Sequence, residues 1–155
     1  MKKVFFTPCG AAVVLPQKTK TEKRRSVYGI TLLQGKILLA CSKISNKMEF
    51  PDGKVECGET LKQALEREFV EETGWKVKVG RLIATQSDNV FMERENKFFE
   101  SSIRYCAVEP IEKKGRPVDT AEVSQTRRVP TVALNEKNLA WIHFTALNRL
   151  LAKLG

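Results

Sequence analysis

The sequence predicts an α/β domain in which a mixed β-sheet lies between helices. Three observations carry this expectation. β-rich runs recur along most of the chain, a helix with two legible ends interrupts them, and the chain finishes in a second stretch of helical periodicity. Strands mixed with helices bury their apolar faces by stacking in layers. With 155 residues, 42% of them hydrophobic and 29% charged, the composition is that of a folded chain. That length suffices for one core without disulfides or structural zinc, so residues 1–155 are expected to form a single domain.

In chain order, residues 4–15 read as an apolar strand. Thr7-Pro8 breaks the run after Met1-Lys2-Lys3 too early for the hydrophobic stretch of a signal peptide. Residues 17–25 (QKTKTEKRR) read as an exposed basic loop. Ser26 to Leu33 and Lys36 to Ser42 read as a hairpin turning at Gln34-Gly35, where the glycine accepts positive φ. Met48 to Gly53 is dense in turn residues. Thr60 and Gln63 have capping-box spacing and Gly74 stands where a left-handed cap stops a helix, giving a helix over 61–73. Beyond it, Lys76 to Thr85 and Lys97 to Val108 read as strands around a polar loop at 88–96, and Arg127 to Val132 as a last short strand. Trp141 to Leu154 carries Phe144, Leu147, Leu150, Leu151 and Leu154 at helical spacing, a packing stripe.

Charge and cysteines narrow the function classes. The net charge of +9, from 27 basic against 18 acidic residues, favours polyanionic partners, whether nucleotide phosphates, nucleic acid or an anionic surface. Cys9, Cys41, Cys57 and Cys106 form no C-x-x-C pair, and the single His143 cannot complete a zinc site of usual spacing. Reduced thiols and a cytoplasmic location are the expectation. No run of about 18 apolar residues exists to span a membrane, and no membrane partner is expected.

The helix over 61–73 holds the chemically informative feature. With Leu61 at zero on a wheel of about 100° per residue, Leu65 falls near 40°, Phe69 near 80° and Ala64 near 300°. Glu72 falls near 20°, Glu68 near 340° and Glu71 near 280°, on or beside that apolar face. Buried glutamates need partners, like charges at these spacings repel, and the last helical turn is the negative end of the dipole. A hard divalent cation, Mg²⁺ or Mn²⁺, answers all three penalties. A solvated acidic face is the alternative that geometry alone leaves open.

The segment Gly53-Lys54-Val55-Glu56-Cys57-Gly58-Glu59-Thr60-Leu61-Lys62-Gln63-Ala64-Leu65-Glu66-Arg67-Glu68-Phe69-Val70-Glu71-Glu72-Thr73-Gly74-Trp75 resembles the Nudix box, G-x5-E-x7-R-E-U-x-E-E-x-G-U with U a bulky apolar residue, at every fixed position. Glu49-Phe50-Pro51 and Lys54 look like the opening of the box in MutT-like members. Residues 122–130 are similar to the stretch where such enzymes carry a further acid. The resemblance implies a Nudix-type α/β/α sandwich and metal-dependent hydrolysis of a phosphoanhydride in a nucleoside diphosphate linked to another group. It implies that Glu68, Glu71 and Glu72, with the Gly53 carbonyl, hold the metal. Arg67 and Glu59 match the pair that braces loop against helix, with Gly58 and Gly74 structural. Glu71 is the first candidate for the general base, Glu122 the second, and Lys54 a candidate to steer phosphate. Asp52 departs from a common glycine and Arg128 from a common tryptophan.

The substrate is less legible. Phe91 stands where ADP-ribose-cleaving members place a proline, and the tyrosine of many diadenosine-polyphosphate hydrolases is missing. Elimination favours a MutT-like nucleoside triphosphate pyrophosphohydrolase, monomeric or dimeric, with Trp141, Asn138 and His143 as candidates for base recognition. An RNA 5′-end pyrophosphohydrolase using the basic 18–25 stretch and a non-catalytic nucleotide sensor are the alternatives.

Overall fold

A computed structural model describes residues 1–116 and 123–154. The order is β1 (Val4–Phe6), β2 (Ala12–Val14), β3 (Glu22–Ile30), β4 (Leu32–Leu33), β5 (Lys36–Ser42), β6 (Met48–Glu49), β7 (Asp52–Lys54), α1 (Leu61–Thr73), β8 (Trp75–Met92), β9 (Lys97–Lys113), β10 (Val123–Pro130), a 3₁₀ turn (Thr131–Ala133) and α2 (Trp141–Leu154). One sheet runs β2-β1-β8-β9-β3-β7 and a second β10-β5-β4, with β6 paired to β5. The larger sheet is mixed: β1 with β8 and β3 with β9 are parallel, the other pairs antiparallel.

Strand alternation gives the sheets two apolar faces. Val27, Val77, Val79 and Val108 meet Ala64, Leu65 and Phe69 of α1. On the other face Ile30, Ile103 and Tyr105 meet Ala146, Leu147 and Leu150 of α2. The mixed sheet therefore lies between two helices, and both helices begin and end where the sequence places them.

Other boundaries shift. The first apolar run is a hairpin, because Gly10 takes φ 88° and the Gly10 N–H donates to Thr7 O at 2.8 Å, turning the chain between β1 and β2. The basic stretch 17–25 is only partly a loop: Glu22 to Arg25 begin β3, paired in register with Phe99 to Ser102. Gln34 and Gly35 do turn, with φ 52° and 70°, but the turn joins β4 to β5. β3 belongs to the other sheet. The polar loop at 88–96 contracts to residues 93–96, because Asp88 to Met92 stay paired with Lys97 to Ser101. The last strand starts at Val123 and ends at Pro130, antiparallel to β5.

Candidate active site

The loop before α1 and the helix itself are fixed by local chemistry. Thr60 Oγ1 accepts from Gln63 N at 3.1 Å while Gln63 Oε1 accepts from Thr60 N at 2.9 Å, so the capping box closes from both sides. Gly74 ends the helix with φ 75°. Gly53 on β7 lies so close to α1 that a Cβ there would stand 2.9 Å from the backbone carbon of Ala64. That contact seats the strand against the start of the acidic helix.

Arg67 ties loop to helix. Its Nε donates to Glu59 Oε1 at 2.8 Å, its Nη2 to Glu59 Oε2 at 3.1 Å and to Lys54 O at 3.3 Å, and its Nη1 to Glu68 Oε1 at 2.7 Å. A two-pronged guanidinium–carboxylate contact is directional as well as strong. The hydrogen bond from Arg67 holds the Glu59 carboxyl below its ordinary range. Glu59 Oε2 in turn accepts from Glu56 N at 3.1 Å, closing the loop on itself.

The three helix carboxylates differ in burial in the order the wheel sets. Glu72 is 5% exposed as a residue, while the side chains of Glu68 and Glu71 are 17% and 42% exposed. Glu72 accepts from Asp52 N at 3.2 Å. Burial, reinforced by the neighbouring Asp52 carboxylate, pushes the Glu72 pKa up to about 11. Burial also raises Glu68, against the pull of Arg67. Among the described residues no three His, Cys, Asp or Glu side chains are gathered tightly enough to hold an ion as they stand. Arg67 draws on the same charges, 2.7 Å from Glu68 and 3.6 Å from Glu71. The donor chemistry nevertheless fits a hard cation: carboxyl oxygens, one of them from a buried group whose charged form a bound cation would favour.

Glu68, Glu71 and Glu72 share a cavity of about 850 Å³ with Lys23, Arg24, Arg25 and Lys54. A smaller cavity of about 140 Å³ lies on the α2 side, walled by Phe6, Thr7 and Pro8 of the hairpin, Tyr28 and Trp141. Asp52 and Arg24 border both cavities. Of the three residues considered for base recognition, only Trp141 lines the smaller cavity. Its ring centroid is 6.2 Å from that of Phe6. His143 is instead a core residue, fully buried with Tyr28, Phe50 and Tyr105 around it. Asn138 folds back on its own turn, donating to Ala133 O at 2.8 Å and accepting from Asn135 N at 2.9 Å. Glu122 lies outside the described residues. Arg128 is exposed, and its guanidinium covers Trp75 with the Cζ 6.0 Å from the ring centroid.

Sequence reasoning included Arg24 only within the basic 18–25 stretch considered for RNA, and it missed the hairpin residues. Arg24 sits in a stretch that reads as loop, and nothing in residues 4–15 signals a cavity wall. Asp52 carried one signal, its departure from a common glycine.

A mixed sheet thus lies between two helices, and the glutamates of α1 share a cavity with the basic residues Lys23, Arg24 and Arg25 of β3. The chain matches the NUDIX domain family over residues 22–150 and belongs to it; it is a Nudix hydrolase, of a family that acts on nucleoside-diphosphate-linked substrates with a divalent metal. Among solved structures it is similar to a UDP-X diphosphatase, at 22% identity and TM-score 0.67, covering 90% of this chain and 66% of that one. It is also similar to the ORF135 protein of E. coli, at 23% identity and TM-score 0.64, covering 85% of this chain and 91% of that one. The MutT protein of Methanosarcina mazei Go1 gives 20% identity and TM-score 0.64, covering 88% and 99%. At these identities the likeness is one of fold. No curated protein matches the chain at a significant level.

Proposed function

We propose that the chain hydrolyses nucleoside triphosphates to a monophosphate and pyrophosphate, with Mg²⁺ as the working metal and Mn²⁺ able to substitute. The observation that carries this reading is the adjacency of the two cavities, a charged one with acidic and basic walls and a smaller one walled by Trp141, Tyr28 and Phe6. A nucleotide has the matching division, an aromatic base and a polyanionic chain.

Glu68, Glu71 and Glu72, with the Gly53 carbonyl, are the groups that would hold the metal. When bound, a divalent ion there supplies Lewis acidity to the phosphate oxygens and a fixed position for the attacking water. The protein's own residues do the rest. Glu71, the most exposed of the three carboxylates, would take the proton from water. Arg67 and Glu59 keep loop and helix in register. Lys54, exposed on β7 in the wall of the charged cavity, stabilises the departing negative charge. Trp141 offers the base a stacking surface.

The test is turnover with Mg²⁺ on canonical and oxidised nucleoside triphosphates, nucleotide sugars, ADP-ribose, dinucleotides and 5′-triphosphorylated RNA. Highest kcat/KM on a nucleoside triphosphate, with pyrophosphate released, is the expected result. Preference for a nucleotide sugar, ADP-ribose or RNA would reassign the substrate.

A further inference from the structure

The side chain of Arg24 stands where the two cavities meet. β3 alternates, so Arg24, Ser26 and Tyr28 line the smaller cavity while Val27 packs against α1. Arg24 also borders the carboxylate cavity and a third cavity along β8 and β9. Its Nε is buried and has no hydrogen-bond partner among the described residues, although the guanidinium is fixed from one side by Phe99, whose ring centroid lies 5.6 Å from Cζ. A buried donor with nothing to donate to is costly and rare. In a cation, the cost is relieved best by an anionic oxygen, and a planar fork suits phosphate. Asp52, the other residue common to both walls, has the wrong sign for that task.

We propose that Arg24 grips the phosphate attached to the nucleoside as the chain passes from the smaller cavity into the carboxylate cavity. This rests on the nucleotide reading above. The base then lies toward Trp141 and Phe6, the first phosphate at Arg24, and the remaining phosphates between Lys54 and the glutamates. Arg24 thereby sets which phosphorus faces the acidic helix.

The test compares wild type, Arg24→Met and Arg24→Lys by NMR titration with four nucleosides and the four corresponding nucleoside monophosphates, all without metal, together with kcat and KM for the best triphosphate. Arg24→Met should weaken monophosphate binding by about 10- to 100-fold, the loss expected for a charged hydrogen bond, while leaving nucleoside binding unchanged. Arg24→Lys keeps a cation without the fork and should fall between. Because Nε has no partner to lose, Arg24→Met should melt near the wild type. Should it fail to fold, Arg24→Lys must still weaken monophosphate relative to nucleoside. Unchanged monophosphate affinity in the folded variants overturns the role of Arg24 alone. A wild-type protein that binds no nucleotide overturns both this role and the nucleotide reading.

Discussion

Replacing Glu72 by glutamine should stabilise the metal-free protein while removing its activity. Glu72 is buried beside Asp52, and its pKa rises from 4.5 to about 11. Above pH 4.5 the unfolded chain releases this proton and the folded chain keeps it, so the folded state binds more protons and stability falls as pH rises. The stability is whole below pH 4.5 and is lost progressively toward pH 11. At about 1.4 kcal/mol per pH unit, the loss by pH 7 is about 3 kcal/mol. Glutamine carries no charge, and its amide can donate to the Asp52 carboxylate while its oxygen accepts from Asp52 N. Urea unfolding in EDTA should show Glu72→Gln more stable than wild type by up to about 3 kcal/mol at pH 7 and by about 1 kcal/mol at pH 5. In Mg²⁺ the wild type should recover stability and the variant should not, while turnover is lost. Equal or lower stability of Glu72→Gln in EDTA at pH 7 would refute the premise that burial beside Asp52 disfavours the charged form of Glu72 when no cation is bound.

Glu71→Gln should retain the wild-type melting temperature within a few degrees, since the side chain is half-exposed, yet lower kcat by roughly three orders of magnitude or more if Glu71 is the base; wild-type kcat would remove it from that role. His143→Phe should flatten the acid side of the stability profile. Burial lowers the His143 pKa to about 3 from 6.5, so the unfolded chain protonates first and stability falls as pH drops through that window. Between pH 6.5 and 4.5 this group accounts for about 2 kcal/mol, read as the difference in the pH dependence of stability between variant and wild type in urea titrations. Gly10→Ala should cost about 1–2 kcal/mol for its left-handed backbone and raise KM more than it lowers kcat. A Cβ there would stand 3.1 Å from the Trp141 ring, which lines the smaller cavity; an unchanged KM would separate Trp141 from substrate.

The helices were legible because their signals are local. Thr60, Gln63 and Gly74 report their own hydrogen bonds, and the apolar stripe of α2 reports its own burial. The strands were less so, because pairing is decided by partners far along the chain. Glu22 to Arg25 look like loop by composition, and only β9, some seventy-five residues on, makes them a strand. The same distinction governs the site. The crowding of glutamates on the apolar face of α1 follows from helical geometry and could be read directly. The placement of Arg24, of Asp52 between two cavities and of the hairpin against Trp141 depends on tertiary contacts that leave no periodic trace. His143 shows the converse: a lone histidine near the last helix looks available for a ligand, but Tyr28, Phe50 and Tyr105 enclose it.

The charged cavity has two walls of opposite sign that do not neutralise each other. Among the described residues, no salt bridge joins Lys23, Arg24, Arg25 or Lys54 to Glu68, Glu71 or Glu72. Among the described residues the ion pairs to the helix carboxylates come from Arg67, which is held at the loop by Glu59. Both signs of charge therefore face one cavity, with Lys23, Arg25 and Lys54 at solvent-exposed positions. A divalent metal carried by the phosphates of a nucleoside-diphosphate-linked substrate would complement both signs at once.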